Sequence, residues 1–245
     1  MRGIVLAAGG GTRLKPLTDE LPKTLLAVDA EERSILELAV DNLAAVGITD
    51  IAVVTGHAAQ AIDAVAPGLE QRYGVDLDLR FNDRYATWNN AYSVWLVRDV
   101  FAQGALLVNG DTVHPVGVEE RLLAARGAAP VLLAIDDDKA LGEEEMKVHL
   151  DEGRLTRINK ALDPASADGE YIGLTLIEPE AAEPLADALQ ATFERDTSLY
   201  YEDGYQELAD RGGHLQGVSI GAGVAWVEVD DHADLARARE VTARG

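Results

Sequence analysis

The chain of 245 residues has 43 acidic and 21 basic side chains, a formal net charge of −22. This charge argues against nucleic acid as a partner, because a phosphate backbone requires a basic surface. The absence of cysteine excludes disulfides, thiolate metal sites and cysteine nucleophiles. No apolar run approaches the ~20 residues that span a bilayer, and no signal-peptide cleavage pattern follows residues 1–8, so we expect no membrane association and a cytoplasmic location.

The first half of the chain alternates between strand and helix patterns. The predicted strands are 1–8, 51–55, 75–81, 105–108 and 130–135, and the predicted helices are 34–46, 57–66, 89–101 and 119–125. Ser34 is a suitable cap for the first helix, and Gly47 ends it. The alternation predicts an α/β fold with a mostly parallel sheet and helices on both faces. In such sheets, ligands bind at the carboxyl ends of the strands.

The pattern changes after Asp136. Strands are predicted at 146–150, 154–158, 171–176, 214–219 and 225–229, and helices at 179–193, 201–211 and 234–243. A Glu152-Gly153 turn joins the first two of these strands. We expect this half to extend the same sheet and to carry a small antiparallel lid.

Three glycines, Gly9-Gly10-Gly11, follow the first apolar strand. Glycine permits positive φ and lets backbone amides approach an anion without a Cβ in the way. Arg13 and Lys23 add charges that suit phosphate. A dinucleotide fingerprint would need a small residue where Leu14 stands, and a P-loop would need its lysine much closer. The pattern therefore predicts a loop that holds the triphosphate of a nucleotide.

Residues 6–18, Leu-Ala-Ala-Gly-Gly-Gly-Thr-Arg-Leu-Lys-Pro-Leu-Thr, with Pro22-Lys23 behind them, resemble the opening motif of the nucleotidyltransferases that join a nucleoside triphosphate to a sugar phosphate or phospho-alcohol and release pyrophosphate. The resemblance implies a single Rossmann-like, GT-A-like domain, with residues 1–115 as the nucleotide-binding half and 116–245 as the acceptor-binding half. It also implies catalytic roles for Arg13 and Lys23. The implied nucleotide-binding residues are Leu6, Ala7, Ala8, Gly9, Gly10, Gly11, Thr12, Arg13, Lys23, Thr55, Gly56, Asn109 and Gly110.

Two apolar runs end in acids. Asp111 follows the run that begins at Leu106, and Asp230 follows the run that begins at Trp226. A carboxylate at a strand end beside a triphosphate is well placed to hold Mg²⁺. By resemblance, Asp111 and Asp230 are the metal ligands. Asp231 is predicted to cap the last helix. The side chain of Glu228 could face either side of its strand.

The stretch from Tyr85 to Trp95 resembles a segment of bacterial phosphocholine cytidylyltransferases and related enzymes that form CDP-alcohols. The spacing of Trp88, Tyr92 and Trp95 equally suits a helix face buried in the core. With the later cluster around Tyr200, these aromatic and acidic side chains could form a cage for a cationic head group or could contact a cyclitol or sugar. The predicted acceptor-binding residues are Tyr85, Trp88, Asn89, Asn90, Tyr92, Ser93, Lys147, Lys160, Tyr171, Gly173, Tyr200, Tyr201 and Glu202.

Together these features predict a cytidylyltransferase that uses CTP and a phosphorylated alcohol, cyclitol or sugar, with Mg²⁺ as cofactor. The first alternative is an NDP-sugar pyrophosphorylase that uses UTP, GTP or another nucleotide. The second is a non-catalytic regulator that binds nucleotide sugars. The lid sequence Glu143-Glu144-Glu145-Met146-Lys147 resembles the inositol- or sugar-phosphate members of the family more than the phosphocholine enzymes. The oligomeric state is not determined by the sequence, and a homodimer is the working hypothesis.

Overall fold

A nine-stranded mixed sheet runs through the computed structural model of the protein, which describes residues 1–243. The strands of the chain are β1 (Arg2–Ala7), β2 (Asp50–Thr55), β3 (Asp76–Phe81), β4 (Ala105–Asn109), β5 (Thr112–Val113), β6 (Val131–Asp136), β7 (Lys147–Asp151), β8 (Arg154–Asn159), β9 (Gly169–Ile177), β10 (Leu215–Ser219) and β11 (Val227–Glu228). Their order in the large sheet is β3-β2-β1-β4-β9-β6-β10-β8-β7. The first four strands in this order are mutually parallel, and β9 joins them antiparallel to β4. The predicted α/β fold is confirmed.

Helices cover both faces of the sheet. They are α1 (Ile35–Ala45), α2 (Ala59–Tyr73), α3 (Ala91–Leu96), α4 (Gly117–Ala124), α5 (Ala182–Arg195), α6 (Tyr201–Asp210) and α7 (His232–Thr242). Because side chains alternate along a strand, neighbouring residues of β1 enter different cores. Ile4 packs in the core that includes α3, α5 and α6, and Val5 packs in the core that includes α1, α2 and α4.

A two-stranded antiparallel ribbon of β5 and β11 lies beside the large sheet. Its register pairs Glu228 with Thr112, and the Val229 amide donates to the Asp111 carbonyl over 2.8 Å. This pairing joins two segments that are more than a hundred residues apart in the chain. It brings Asp111 and Asp230, which flank the ribbon, to one place.

Helix starts follow the predicted capping chemistry. Ser34 Oγ accepts from the Glu37 amide at the start of α1, over 3.2 Å. Asp231 caps α7 by accepting from the amides of Ala233 and Asp234. Side-chain oxygens at this position satisfy amides that the helix itself leaves free. Asp231 is thereby engaged in the α7 cap.

The lid consists of the loop 137–146 and the β7–β8 hairpin. Strand β7 also pairs with β9, so the hairpin curls back over the sheet. No helix in the described range 1–243 is both long and apolar enough to cross a membrane.

Two helices differ from the predicted bounds. Helix α2 was expected to end before Pro67 but continues through it to Tyr73. Proline removes one backbone hydrogen bond, yet Leu69 is buried beyond it and holds the last turns on the sheet. The segment predicted as one helix over 89–101 divides into α3 and a 3₁₀ helix at Arg98–Gln103.

Candidate active site

The glycine loop projects into open space beyond the carboxyl end of β1. A Cβ added at Gly9 or Gly10 would meet no atom within 4 Å, so a ligand has access to this backbone. Gly11 has a φ of 54° in the left-handed region, which glycine adopts without strain. The Thr18 hydroxyl donates to the Gly11 carbonyl over 2.7 Å and fixes the turn. The loop has the access and conformation expected of a phosphate-binding backbone.

The neighbouring strand ends approach the loop closely. The Gly110 amide donates to the Leu6 carbonyl over 3.0 Å, and a Cβ at Gly110 would collide with that carbonyl oxygen. On the other side of β1, a Cβ at Gly56 would lie 2.6 Å from Tyr85 Cβ and 2.7 Å from the Ala8 carbonyl oxygen. Glycine is therefore required at both flanks of β1 by close packing. Tyr85 lies over Gly56 and is 38% exposed, and Thr55 beside it is buried.

Three carboxylates converge where the β5–β11 ribbon meets the glycine loop. Asp111, Glu228 and Asp230 each offer an oxygen, and these oxygens all lie within 4.8 Å of one another. Lys23 Nζ bridges two of the acids, at 2.8 Å from Asp111 Oδ2 and 2.9 Å from Asp230 Oδ1. Arg13 Nη2 lies 2.6 Å from Asp230 Oδ2. We call Asp111, Glu228 and Asp230 the acidic trio.

The charges in this cluster perturb one another. Burial alone would lower the pKa of Lys23, but the charges of Asp111 and Asp230 outweigh it, so the pKa is raised. Burial alone would raise the pKa of Asp230, but the charge and hydrogen bond of Lys23 outweigh it, so the pKa is lowered. Glu228 is an exposed residue, yet desolvation of its carboxyl group and the neighbouring charges of Asp111 and Asp230 raise its pKa to about 8.

The acidic trio fits a hard divalent cation. Carboxylate oxygens are the ligands that Mg²⁺ and Ca²⁺ prefer. Asp111 Oδ1 is buried and has no hydrogen-bond partner in the structure, as expected of an oxygen kept for a ligand. Asp111 and Asp230 were predicted, and the structure brings them together. Glu228, which the sequence left open, faces the same point.

A polar cavity of about 200 Å³ adjoins the trio. Its wall includes six of the thirteen predicted acceptor residues. Those residues are Asn90, Lys160, Tyr171, Gly173, Tyr200 and Glu202. Asn109, which was predicted to bind nucleotide, and the acidic trio's Asp111, Glu228 and Asp230 also line it. We call this space the acceptor cavity.

A buried hydroxyl network supports the floor of the acceptor cavity. The Tyr201 hydroxyl donates to Asn109 Oδ1 over 2.9 Å and lies 3.1 Å from the Tyr171 hydroxyl oxygen. The Tyr201 amide donates to Asn90 Oδ1 over 2.9 Å. Tyr201 is fully buried, so it holds the cavity residues in position from below.

Glu202 follows Tyr201 at the start of α6 and is the most unusual group in the acceptor cavity. It is 6% exposed, and its Oε2 is buried without a hydrogen-bond partner in the structure. Desolvation raises the pKa of Glu202 to about 8. Nearby, Lys160 Nζ lies 5.6 Å from the centre of the Tyr200 ring. A carboxyl group with one unpartnered oxygen, in a wall that also holds the Tyr200 ring, has the chemistry to bind a cation or a hydroxyl group.

Lys147 does not reach the acceptor cavity. It is fully buried, and its Nζ donates to the carbonyls of Gly142, Glu143 and Glu145 over 2.9–3.1 Å. Strand alternation turns this side chain inward, where the lid loop folds around its ammonium group. The structure therefore places Lys147 as an anchor of the lid, outside the lining of the acceptor cavity.

Part of the Tyr85–Trp95 stretch packs in the core. Trp88 and Tyr92 contact each other and Phe193 of α5, with ring centres 5.3–5.6 Å apart. Ser93 is buried and accepts from Asn82 over 2.8 Å. Asn89 donates to the Ser198 carbonyl and positions the loop before α6. The core alternative is therefore the better account of Trp88 and Tyr92. Ser93, predicted at the acceptor, is also buried, and Asn90 lines the cavity.

A family model described as "Nucleotidyl transferase" matches residues 2–138. The chain is 38% identical over 107 residues to a choline-phosphate cytidylyltransferase of Streptococcus pneumoniae, which covers 44% of this chain and 43% of the relative. It is 31% identical over 246 aligned residues to a CMP-5'-(3-aminopropyl)phosphonate synthase of Streptomyces rubellomurinus, covering 97% of this chain and 38% of the relative. The chain thus spans less than half the length of these two relatives.

The fold has close counterparts among solved structures. The inositol-1-phosphate CTP transferase from T. maritima superimposes with a TM-score of 0.81 over 100% of this chain and 96% of that chain, at 20% identity. Glucose-1-phosphate thymidylyltransferases of Streptomyces are also similar to the chain, at 24–25% identity. Cytidylyltransferases and sugar-phosphate enzymes therefore both occur among its relatives.

Proposed function

Because the chain belongs to the nucleotidyl transferase family, we propose that it transfers CMP from CTP to a phosphorylated alcohol, cyclitol or sugar and releases pyrophosphate. The observation that carries this proposal is the meeting of the acidic trio, Lys23 and Arg13 between the open glycine loop and the acceptor cavity. The cytidylyltransferases among the relatives support the choice of CTP.

In the proposed reaction, a phosphate or phosphonate oxygen of the acceptor attacks the α-phosphorus of CTP, the bond to the β-phosphate oxygen breaks, and pyrophosphate leaves. A phosphate monoester has a second pKa near ~6, so its oxygen is already ionised near neutral pH and needs no general base. The work of the chain is to align the two substrates and to stabilise charge. The amides of the glycine loop would hold the triphosphate, and Arg13 and Lys23 would stabilise the negative charge that develops on it.

We propose Mg²⁺ as the cofactor, held by Asp111, Asp230 and Glu228. Bound there, it would neutralise phosphate charge beside the α-phosphorus. The support is the orphaned Asp111 Oδ1 and the all-oxygen donor set.

The acceptor cavity would hold the second substrate. Lys160, a cation in the cavity wall, would approach the acceptor's phosphate, and Glu202 and Tyr200 would contact the acceptor's organic part. A cationic head group suits a wall that holds the Tyr200 ring and the Glu202 carboxyl, because a cation bound there would favour the ionised carboxylate. The names of two relatives contain choline and an aminopropyl group, both of which carry a nitrogen cation, and this supports the choice.

An NDP-sugar pyrophosphorylase is the second candidate, favoured by the similarity to glucose-1-phosphate thymidylyltransferases. A non-catalytic regulator is less well supported, because Lys23 contacts both Asp111 and Asp230 and Arg13 contacts Asp230, as a catalytic site would require. We further propose a cytoplasmic enzyme, a homodimer, and one domain in which residues 1–115 bind nucleotide and 116–245 bind the acceptor.

A screen of pyrophosphate release tests the proposal. CTP, UTP, GTP, dTTP and ATP are each paired with phosphocholine, inositol 1-phosphate, glucose 1-phosphate and 2-aminoethylphosphonate. We expect release with CTP and at least one acceptor, and its loss in Lys23→Ala. Release only with another nucleotide and glucose 1-phosphate would favour the pyrophosphorylase. No release with any pair would favour the regulator.

A further inference from the structure

The chain's own cations already contact two members of the acidic trio, Asp111 and Asp230. Lys23 occupies one oxygen of Asp111 and one of Asp230, and Arg13 occupies the second oxygen of Asp230. Of the four oxygens of the two aspartates, only Asp111 Oδ1 has no partner. The site that should receive a divalent cation therefore begins with a lysine ammonium in its place.

A metal ion and this ammonium group would compete for the same oxygens. An ion bound between Asp111 and Asp230 would lie within a few ångströms of Lys23 Nζ, where two positive charges repel strongly. Only 12% of the Lys23 side chain is exposed, so water and salt would screen this repulsion poorly. Metal binding therefore requires the Lys23 ammonium to move away from the two aspartates, because binding beside it would cost much free energy.

Phosphates bound at the glycine loop would lie within reach of the flexible Lys23 side chain. The stem packs against the glycine loop, since a Cβ at Gly11 would lie 2.9 Å from Lys23 Cβ. A change in its side-chain rotamers would turn Nζ away from the aspartates and toward phosphates held by that loop. The proposed nucleotide would supply the negative charge that makes the exchange favourable.

We propose that Lys23 keeps divalent metal off the acidic trio until nucleotide phosphates draw the lysine away, so that metal and nucleotide bind as a pair. This inference rests on the proposed nucleotide site at the glycine loop. It assigns Lys23 a second role beside phosphate binding, as the displaceable counter-ion of the metal ligands. Removal of the lysine charge should therefore weaken nucleotide binding and strengthen binding of metal alone, which are opposite effects.

The test is a titration of the nucleotide-free full chain with Mn²⁺ alone, with free Mn²⁺ followed by electron paramagnetic resonance. We expect Lys23→Met to bind Mn²⁺ at least about tenfold more tightly than the wild type, because methionine keeps the length of the side chain and removes the charge. Lys15→Met is the matched control, since Lys15 is a cation of the same segment that pairs with Asp19. Its affinity should equal that of the wild type. Equal or weaker Mn²⁺ binding by folded Lys23→Met would overturn the proposal.

A second variant decides the question if circular dichroism shows that Lys23→Met does not fold. Arg13 has 64% of its side chain exposed, so Arg13→Met should fold, and we expect a smaller gain in Mn²⁺ affinity from it. Adding Asp111→Asn to either variant should abolish the gain, which locates the metal at the trio. No gain from Arg13→Met would then overturn the proposal. These titrations use no acceptor and no turnover, so their result is separate from failure of the proposed transfer reaction.

Discussion

Asp111→Asn tests the proposed site with almost no change in shape. The substitution removes one negative charge, the ion pair to Lys23 at 2.8 Å, and the orphaned carboxylate oxygen. Lys23 keeps Asp230 at 2.9 Å, and repulsion within the acidic trio falls. We therefore expect the free energy of unfolding to change by only about 1 kcal/mol.

The effect on turnover should be much larger. Loss of a metal ligand beside the reacting phosphorus removes several kcal/mol of charge stabilisation, and each 1.36 kcal/mol is a factor of ten, so kcat should fall by about 10³-fold or more. The assay is pyrophosphate release at saturating substrates, with the thermal midpoint measured in parallel. Asp151→Asn, an exposed aspartate at the end of β7, is the matched control and should leave both values unchanged. Asp111→Asn turnover within tenfold of the wild type would refute the assignment.

Three further substitutions test the packing around the site. Gly110→Ala forces a Cβ against the Leu6 carbonyl and should lower the thermal midpoint by roughly 5–10 °C. Gly117→Ala is the control, because a Cβ there meets nothing within 4 Å, and it should leave the midpoint unchanged. Equal midpoints for the two variants would contradict the close approach at Gly110. Glu202 has a folded pKa of about 8, above its unfolded value, so its contribution to stability is present below the unfolded value and is lost as pH rises to about 8. Glu202→Gln should therefore flatten the fall in thermal midpoint over this pH range, and an unchanged profile would show that this carboxyl is not desolvated. Lys147→Met leaves three lid carbonyls without their donor, so proteolysis within 139–146 should become faster while KM for the acceptor changes little. Unchanged proteolysis with a raised KM would instead indicate that Lys147 binds the acceptor.

Much of the fold follows from short-range patterns. The apolar runs of β1, β2 and β4 are long enough to mark buried strands, and Ser34 and Asp231 mark helix starts by capping chemistry. Asp111 and Asp230 could be assigned because each follows such a run. The sequence did not show that the β5–β11 ribbon brings them together, since this pairing links segments far apart in the chain.

The positions of the predicted acceptor residues that do not line the cavity have identifiable physical causes. Trp88 and Tyr92 have helical spacing, which suits either a core face or a binding site. Their contacts with Phe193 of α5 decide for the core, and this long-range packing cannot be read from the local sequence. Lys147 is turned inward because β7 pairs with β9 as well as β8, which pattern alone does not reveal. Glu228 could have been found, because period-two alternation puts it on the same face as Asp230, opposite Val227 and Val229.

The most direct test of the account follows the α-phosphorus itself. The protein is incubated with [α-³²P]CTP, Mg²⁺ and each acceptor, and the labelled products are separated and identified by mass. We predict label in a CDP-linked product with an equal amount of pyrophosphate, formed only when an acceptor is present and lost in Asp111→Asn. Label that stays in CTP with every acceptor, or that enters CMP whether or not an acceptor is present, would contradict the proposed cytidylyl transfer.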